Sequence, residues 1–224
     1  MSADGPTAAG WRHFVALGDS VTEGVGDPVE GLEMASWADR LAGALAATVP
    51  DLRYTNLARR GLKTREIRAA QLAPALALDP DLVSLIAGAN DVLRPGWSLA
   101  RYRDDLDAML VALAPGGATI ILGTLPDFTA VMPLPPTLAA RLRGRLAEAN
   151  AAVLELGRRY GAVCIDFESV PGAYDRRYWS ADGLHPNAHG HLLYAATVAR
   201  RLAERAGAPI AGPTLGGLPG GANA

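Results

Sequence analysis

Short apolar runs alternate along the chain with longer segments in which apolar residues recur every three or four positions. The short runs predict buried β-strands, and the longer segments predict amphipathic helices. This alternation is typical of a parallel sheet with helices on both faces. The chain is therefore predicted to be an α/β protein with five strands, at residues 13–19, 52–57, 82–87, 119–125 and 163–167.

The helical segments are predicted at residues 36–49, 64–78, 98–113 and 136–160, and a last helix follows Pro186 and runs to Ala206. Ser36, Thr64 and Ser98 are predicted N-caps, because a short side-chain oxygen can accept from a free amide of the first turn. From residue 207 the chain is rich in Gly and Pro and has little apolar surface to offset the entropy cost of ordering. We therefore expect a single domain at 1–206 and a flexible tail at 207–224.

Composition narrows the classes of partner. The chain has 224 residues, is half hydrophobic and one-fifth charged, and carries a formal net charge of −2. Such a balance gives no general field that would attract nucleic acid or an anionic membrane. No apolar run approaches the length of a membrane span, and the N-terminus lacks a signal-peptide pattern, so we expect a cytoplasmic protein. Cys164 is the only cysteine, which excludes an internal disulfide.

Polar residues follow four of the predicted strands. Gly18-Asp19-Ser20 follows the first strand, Gly61 lies in the loop after the second, and Gly88-Ala89-Asn90-Asp91 follows the third. The loop after the fifth strand ends in Asp182-Gly183-Leu184-His185-Pro186. In open parallel sheets ligands bind beyond the carboxyl ends of the strands. All four groups are therefore predicted to meet at one edge of the sheet.

Three of these residues suit nucleophilic catalysis. A serine hydroxyl is a poor nucleophile at neutral pH, so it needs a base within hydrogen-bond reach and a third group that orients the base. Ser20, His185 and Asp182 can fill these roles, and their short D-x-x-H spacing lets Asp182 and His185 come from one turn of chain. Pro186 disfavours a helical conformation at His185 and suits the first position of a helix, which would hold His185 at its entry.

With these motifs the chain resembles the SGNH, or GDSL-like, hydrolase family, which is named for a Ser, Gly, Asn and His in four blocks. Ser20, Gly61, Asn90 and His185 match the four blocks, and the resemblance spans residues 14 to about 200. It implies a three-layer α/β/α sandwich with a flavodoxin-like, five-stranded parallel sheet. It also implies hydrolysis of esters by Ser20, Asp182 and His185 without a cofactor. The oxyanion hole would comprise the backbone N–H groups of Ser20 and Gly61 and the side-chain amide of Asn90.

Other interpretations of single residues stay open. Gly61 alone is compatible with an ordinary turn glycine, and Asn90 with a turn that leads into a helix. His189 and His191 follow His185 closely, and together with Asp182 they suggest a metal cluster. On a helix, however, positions 189 and 191 point in different directions, whereas metal ligands must converge. We therefore predict no metal site.

Aromatic and apolar residues of three loops are candidates for substrate binding. They lie in the proline-rich loop after the fourth strand, after the Asn90 block, and before Asp182, and they are Phe128, Met132, Trp97, Tyr178 and Trp179. Such residues would wall an apolar cleft for the acyl or aryl part of an ester. The alternative is that they pack the loops against the core.

The sequence thus predicts a serine hydrolase that cleaves small carboxylic esters through an acyl-enzyme on Ser20. Short-to-medium acyl esters, thioesters and O-acetylated sugars are the expected small-molecule substrates. One alternative is an acyltransferase that uses the same three residues. Another is a non-catalytic, ligand-binding member of the fold, against which the presence of all four blocks argues.

Overall fold

A single parallel sheet lies at the centre of the computed structural model, which describes residues 10–210. Its strand order is β2-β1-β3-β4-β5, and every neighbouring pair is parallel. The strands are β1 His13–Gly18, β2 Arg53–Asn56, β3 Leu82–Ile86, β4 Thr119–Gly123 and β5 Val163–Ile165. The chain passes from β1 to β2 on one side of the sheet and from β3 to β4 on the other, so the strand order switches between β1 and β3. Open α/β sheets bind ligands beyond the carboxyl ends of the strands at such a point.

Helices connect successive strands and cover both faces of the sheet. They are α1 Ser20–Glu23, α2 Trp37–Ala46, α3 Thr64–Ala77, α4 Ala89–Leu93, α5 Leu99–Leu113, α6 Pro136–Tyr160 and α7 Ala188–Ala206. None of the helices within residues 10–210 is long and apolar enough to cross a membrane. The predicted tail lies outside the described residues from position 211 onward.

Two hydrophobic cores sandwich the sheet, because side chains of a strand point alternately to its two faces. Val15 and Leu17 of β1 pack on the face covered by α3, α5 and α6. Phe14 and Ala16 pack on the opposite face, against α2 and α7. Burying each large aliphatic side chain stabilises the fold by about 1.5–3 kcal/mol. The predicted α/β/α architecture with five parallel strands is confirmed.

The strands end earlier than the sequence pattern predicted. Four of the predicted strands extended past the last strand residue of the structure, to Asp19, Ala87, Leu125 and Phe167. These residues are buried, but they leave the sheet and begin the loops at its carboxyl edge. Burial alone therefore does not mark the end of a strand.

Helix boundaries need three corrections. The short helices α1 and α4 were not among the predicted helices, because four or five residues are too few to show a helical period. Thr64 is not an N-cap: the N-cap position is Lys63, whose backbone N–H donates to the Glu66 carboxylate over 2.8 Å. The last helix begins at Ala188 rather than directly after Pro186.

The start of α7 has a clear physical cause. The side chain of Asn187 accepts a hydrogen bond from the backbone N–H of Gly190 over 3.1 Å, as an N-cap does. Pro186 instead pairs with Trp179 in an isolated antiparallel bridge. This bridge, and not a helix entry, fixes the turn that carries His185.

Candidate active site

The turn from β1 into α1 places Ser20 at the edge of the sheet. Ser20 is the first residue of α1, and the carboxylate of Asp19 caps this helix by accepting from the N–H of Val21 over 3.3 Å. The side-chain amide of Gln71 bonds both backbone groups of Gly18, each over 2.9 Å. Ser20 therefore projects from a turn held on both sides.

The structure brings Ser20, His185 and Asp182 into one chain of hydrogen bonds. Ser20 Oγ lies 2.9 Å from His185 Nε2, and His185 Nδ1 lies 2.6 Å from Asp182 Oδ2. The other carboxylate oxygen, Oδ1, accepts from the backbone N–H groups of Leu184 and His185 over 2.8 and 3.0 Å. The D-x-x-H turn is thus closed by its own aspartate, which orients the imidazole toward the serine.

The electrostatics of Asp182 suit this arrangement. Partial burial works against its charged form, but the hydrogen bonds from the backbone and ring of His185 outweigh it and hold its pKa below the ordinary value. Asp182 therefore stays ionised at neutral pH and can stabilise a positively charged imidazole. The side chain of His185 is only 16% exposed, which shelters the contact with Ser20 from water.

Two backbone amides of residues that line the cavity have no backbone acceptor among the described residues. Within residues 10–210, the N–H groups of Ser20 and Gly61 donate no backbone hydrogen bond, and both residues line the same cavity. Gly61 has φ +80°, a left-handed conformation that glycine adopts without strain. Asn56 supports this loop: its amide donates to the carbonyl of Thr22 over 2.8 Å, and its side-chain oxygen accepts from the N–H of Ala58 over 3.0 Å.

Asn90 ties the remaining blocks together from the first turn of α4. Its side-chain N–H₂ group donates to the carbonyl of Leu62 over 3.1 Å and to the carboxylate of Asp19 over 3.3 Å. Asp91, the next residue, accepts from the backbone and the hydroxyl of Thr64, each over 2.9 Å. These contacts fix the Asn90 amide beside the Gly61 loop.

Asp19 carries a charge that the fold disfavours. It is 3% exposed, and this burial raises its pKa to about 6, although hydrogen bonds from Val21 and Asn90 act in the opposite direction. A carboxylate at this position attracts the positive imidazolium form of His185. Asp19 therefore combines a structural role at the α1 cap with an electrostatic influence on the site.

Ser20 and His185 open into a cavity of about 350 Å³ at the carboxyl edge of the sheet. Its wall is mostly apolar, and it includes Phe128 from the predicted substrate-binding set. Residues that the sequence did not single out complete it, among them Leu93, Leu125, Phe167 and Tyr194. Leu93 follows Asn90 by three residues and Leu125 follows β4. These positions close to the motifs could have predicted that both residues line the cavity.

The other four predicted substrate-binding residues lie outside the cavity lining, which corrects that part of the prediction. The ring of Trp97 packs against that of Tyr102 in a tilted arrangement with centroids 5.5 Å apart, and its indole N–H donates to Glu148 over 2.9 Å. Trp179 is buried and donates to the carbonyl of Ala173 over 2.7 Å.

Tyr178 and Met132 contact neighbouring loops instead. The ring of Tyr178 packs over Gly172, and its carbonyl accepts from the N–H of Asn187 over 3.0 Å. The backbone of Met132 lies against Gly183, in the turn between Asp182 and His185. For these four residues the alternative interpretation, packing of loops against the core and one another, describes the structure.

The remaining histidines do not converge on His185. His191 is fully buried, accepts from the N–H of Trp37 over 3.2 Å and contacts the carbonyl of Val25 over 3.1 Å. Burial lowers its pKa to about 4, so it is neutral and structural. In the part of the chain that the structure describes, no three His, Cys, Asp or Glu side chains are grouped so as to hold a metal.

Known proteins share both the sequence pattern and the fold. The model of the GDSL-like lipase/acylhydrolase family matches residues 16–193, which is most of the chain. No curated protein matches the sequence. A lipase/acylhydrolase from Enterococcus faecalis is 26% identical, with a TM-score of 0.69 over 87% of this chain and 96% of that one.

Two further solved structures share the fold at lower identity. The alpha/beta hydrolase enzyme LAE5, from the metagenome of Lake Arreo in Spain, is 24% identical, with a TM-score of 0.70 over 88% of this chain and 97% of that one. The acetylxylan esterase Axe2 from Geobacillus stearothermophilus is 21% identical, with a TM-score of 0.68 over 85% of this chain and 94% of that one. On the family match and the shared fold, the chain belongs to the GDSL-like lipase/acylhydrolase family, whose members are carboxylic ester hydrolases.

Proposed function

We propose that the chain hydrolyses small carboxylic esters through an acyl-enzyme on Ser20. The observation that carries this proposal is the continuous contact from Ser20 Oγ to His185 and from His185 to Asp182, at 2.9 and 2.6 Å. As Ser20 Oγ attacks the ester carbon, His185 Nε2 accepts the serine proton. The ionised carboxylate of Asp182 stabilises the imidazolium that forms.

The negative charge on the carbonyl oxygen meets donors that are already in place. The N–H groups of Ser20 and Gly61, which donate no backbone hydrogen bond within the described part of the chain, supply two of them. The amide of Asn90 supplies the third when the oxyanion replaces one of its present acceptors, the more distant of which is Asp19 at 3.3 Å. A donor of this kind contributes about 2.7–4 kcal/mol to transition-state stabilisation.

The reaction is completed by three further proton transfers at His185. The imidazolium gives its proton to the leaving alcohol oxygen, which departs and leaves the acyl group on Ser20. A water molecule then enters, gives a proton to His185 Nε2 and attacks the acyl carbon. Collapse of that second tetrahedral intermediate returns the proton to Ser20 and releases the acid.

The cavity supports a substrate of modest size. Its volume of about 350 Å³ lies near the lower end of the roughly 300–1,000 Å³ typical of ligand pockets. Short-to-medium acyl esters, thioesters and O-acetylated sugars fit that range. The similarity of fold to an acetylxylan esterase adds acetylated sugars to the substrates worth testing first.

Turnover of p-nitrophenyl esters from acetate to palmitate tests this proposal. We expect Ser20→Ala to lower kcat at least about 10⁴-fold while the protein stays folded. Ser169→Ala is the matched control: among the described residues this exposed hydroxyl bonds only Asp166, and Ser169 is not part of the cavity lining. Turnover in Ser20→Ala close to that of the control would refute the nucleophile assignment.

Asn90→Ala separates transition-state binding from substrate binding. Loss of an oxyanion donor lowers kcat about 10²–10³-fold with little change in KM, since the interaction forms chiefly in the transition state. A change confined to KM would instead make Asn90 a substrate-binding residue. Steady-state kinetics with p-nitrophenyl acetate distinguish the two outcomes.

A further inference from the structure

Most polar groups that line the cavity have a partner or a role. The guanidinium of Arg60 pairs with Glu23 over 2.9 Å. The hydroxyl of Thr124 donates to Asp166 over 3.1 Å. Arg94 stands exposed at the mouth, and the remaining polar members apart from Tyr194 belong to the site described above: Asp19, Ser20, Asn90 and His185.

Tyr194 is the exception. Its side chain extends from α7 into the wall of the cavity, is 5% exposed, and stacks on Phe167 with ring centroids 4.4 Å apart. Burial raises the pKa of the phenol, and its hydroxyl forms no hydrogen bond with the described residues. The stacking fixes the ring, so the direction of the hydroxyl is fixed as well.

The Tyr194 oxygen is not fully enclosed by the protein. Within residues 10–210, the fully enclosed side-chain polar atoms that lack a partner are His13 Nδ1, Arg40 Nε and Ser84 Oγ, and the Tyr194 oxygen is not among them. It therefore keeps some accessible surface although the residue is buried. Tyr194 lines the cavity that contains Ser20 and His185, and this cavity is where we place the open side of its hydroxyl.

A buried hydroxyl without a protein partner calls for an explanation. Most buried polar side-chain atoms have at least one hydrogen-bond partner, and the exceptions often have functional causes or bind water. A phenylalanine would make the same stacking contact with Phe167 and bury no polar atom. A hydroxyl at this position is useful where a bound molecule supplies the partner.

Building on the proposed function, we propose that the preferred substrate carries a second oxygen, a hydroxyl or an ether, that pairs with the Tyr194 hydroxyl inside the cavity. The substrates are then oxygenated esters, such as alkoxyacyl esters or partial esters of polyols, rather than plain alkyl esters. The oxygen belongs either to the acyl part or to the alcohol part of the ester. Tyr194 is thus a specificity-determining residue.

Two pairs of isosteric substrates test this assignment in wild-type protein and in Tyr194→Phe. The acyl pair is p-nitrophenyl 4-methoxybutanoate and p-nitrophenyl hexanoate. The alcohol pair is 2-hydroxyethyl acetate and propyl acetate, followed by titration of the released acid. Tyr178→Phe is the matched control, because Tyr178 lies outside the cavity lining.

For one of the pairs, we expect Tyr194→Phe to lower kcat/KM of the oxygenated ester about 2- to 10-fold, as for loss of one neutral hydrogen bond, and to leave the alkyl ester unchanged. The affected pair identifies which part of the ester carries the oxygen. Tyr178→Phe should leave kcat/KM of all four esters unchanged. Unfolding by urea should show that both variants are folded.

Equal effects of Tyr194→Phe on both members of both pairs would overturn the assignment and leave the hydroxyl as a water-binding group. That result is distinct from failure of the proposed function. If wild-type protein hydrolysed none of the four esters, the acyl-enzyme proposal would fall, and the specificity assignment would fall with it.

Discussion

The buried carboxyl group of Asp19 makes stability depend on pH in a way that can be calculated. Its pKa is raised from 3.8 to about 6, chiefly by burial. The folded protein therefore binds this proton more tightly than the unfolded chain does. The resulting penalty is small below about pH 4, grows as pH rises toward 6, and is fully present above that value.

The size of the penalty follows from the shift. Since one pKa unit corresponds to about 1.4 kcal/mol, a shift from 3.8 to about 6 costs roughly 3 kcal/mol of unfolding free energy at neutral pH. Asp19→Asn removes the titration. About 0.5 kcal/mol of this penalty is already present at pH 4, so the free energy of unfolding of the variant, relative to wild type, should rise by about 2.5 kcal/mol between pH 4 and pH 7.5. Effects of the substitution that do not depend on pH cancel in this comparison.

Urea unfolding at pH 4, 5, 6 and 7.5 measures the difference. Asp175→Asn is the control: hydrogen bonds from Arg177 lower the pKa of Asp175 to about 2, so its stabilising effect is constant over this range. A difference between Asp19→Asn and wild type that did not change with pH would refute the reasoning. We also expect kcat to fall in Asp19→Asn, because the variant loses the negative charge near His185 and alters the contact with Asn90.

Three further substitutions test the support of the site. Gly61→Ala should lower both kcat and the free energy of unfolding, the latter by about 1–2 kcal/mol. The cause is that φ is +80° at this position and the new Cβ would lie 3.4 Å from Arg94 Nη2. Wild-type values of kcat and of unfolding free energy would contradict the proposed role of this loop. Gln71→Leu removes both hydrogen bonds to the backbone of Gly18 and should lower the free energy of unfolding by about 1–3 kcal/mol for each group left unpaired. Urea unfolding measures this loss, and an unchanged unfolding midpoint would contradict the prediction. Asp182→Asn should lower kcat about 10⁴-fold, as in other Ser-His-Asp sites, and a loss below tenfold in p-nitrophenyl acetate assays would remove Asp182 from the mechanism.

The fold was predictable because two inner strands of the sheet, β1 and β3, are buried and mostly apolar. All six residues of β1 and all five of β3 are buried, and the long amphipathic helix α6 has the predicted bounds, Pro136–Tyr160. The short helices α1 and α4 were missed because they form where the chain turns sharply, and their stability comes from caps and tertiary contacts rather than from a periodic apolar face. Ser20 and Asn90 stand at the starts of these two helices.

The site was predictable as far as chemistry constrains residue types. Serine, histidine and aspartate at the ends of parallel strands have few other reasons to coincide, and the structure brings Ser20, His185 and Asp182 into contact. The cavity wall was less predictable, because the direction of a loop side chain depends on distant partners. Trp179 lies near His185 in sequence but points to the carbonyl of Ala173.

Tyr194, in contrast, lines the cavity although the sequence did not predict it. It lies in the middle of a long amphipathic helix, where the sequence pattern predicts only core packing. Its place in the cavity depends on how α7 packs against the sheet and on the position of Phe167 after β5. Such a contact between remote segments is visible only in three dimensions.

Covalent trapping of Ser20 tests the central claim most directly. The protein would be incubated with a p-nitrophenyl alkylphosphonate, and peptide mapping by mass spectrometry would locate the adduct. We predict one adduct per chain, on Ser20, forming in step with loss of esterase activity and absent in Ser20→Ala. Inactivation with the adduct on a different residue, or full activity in protein fully labelled at Ser20, would contradict the account.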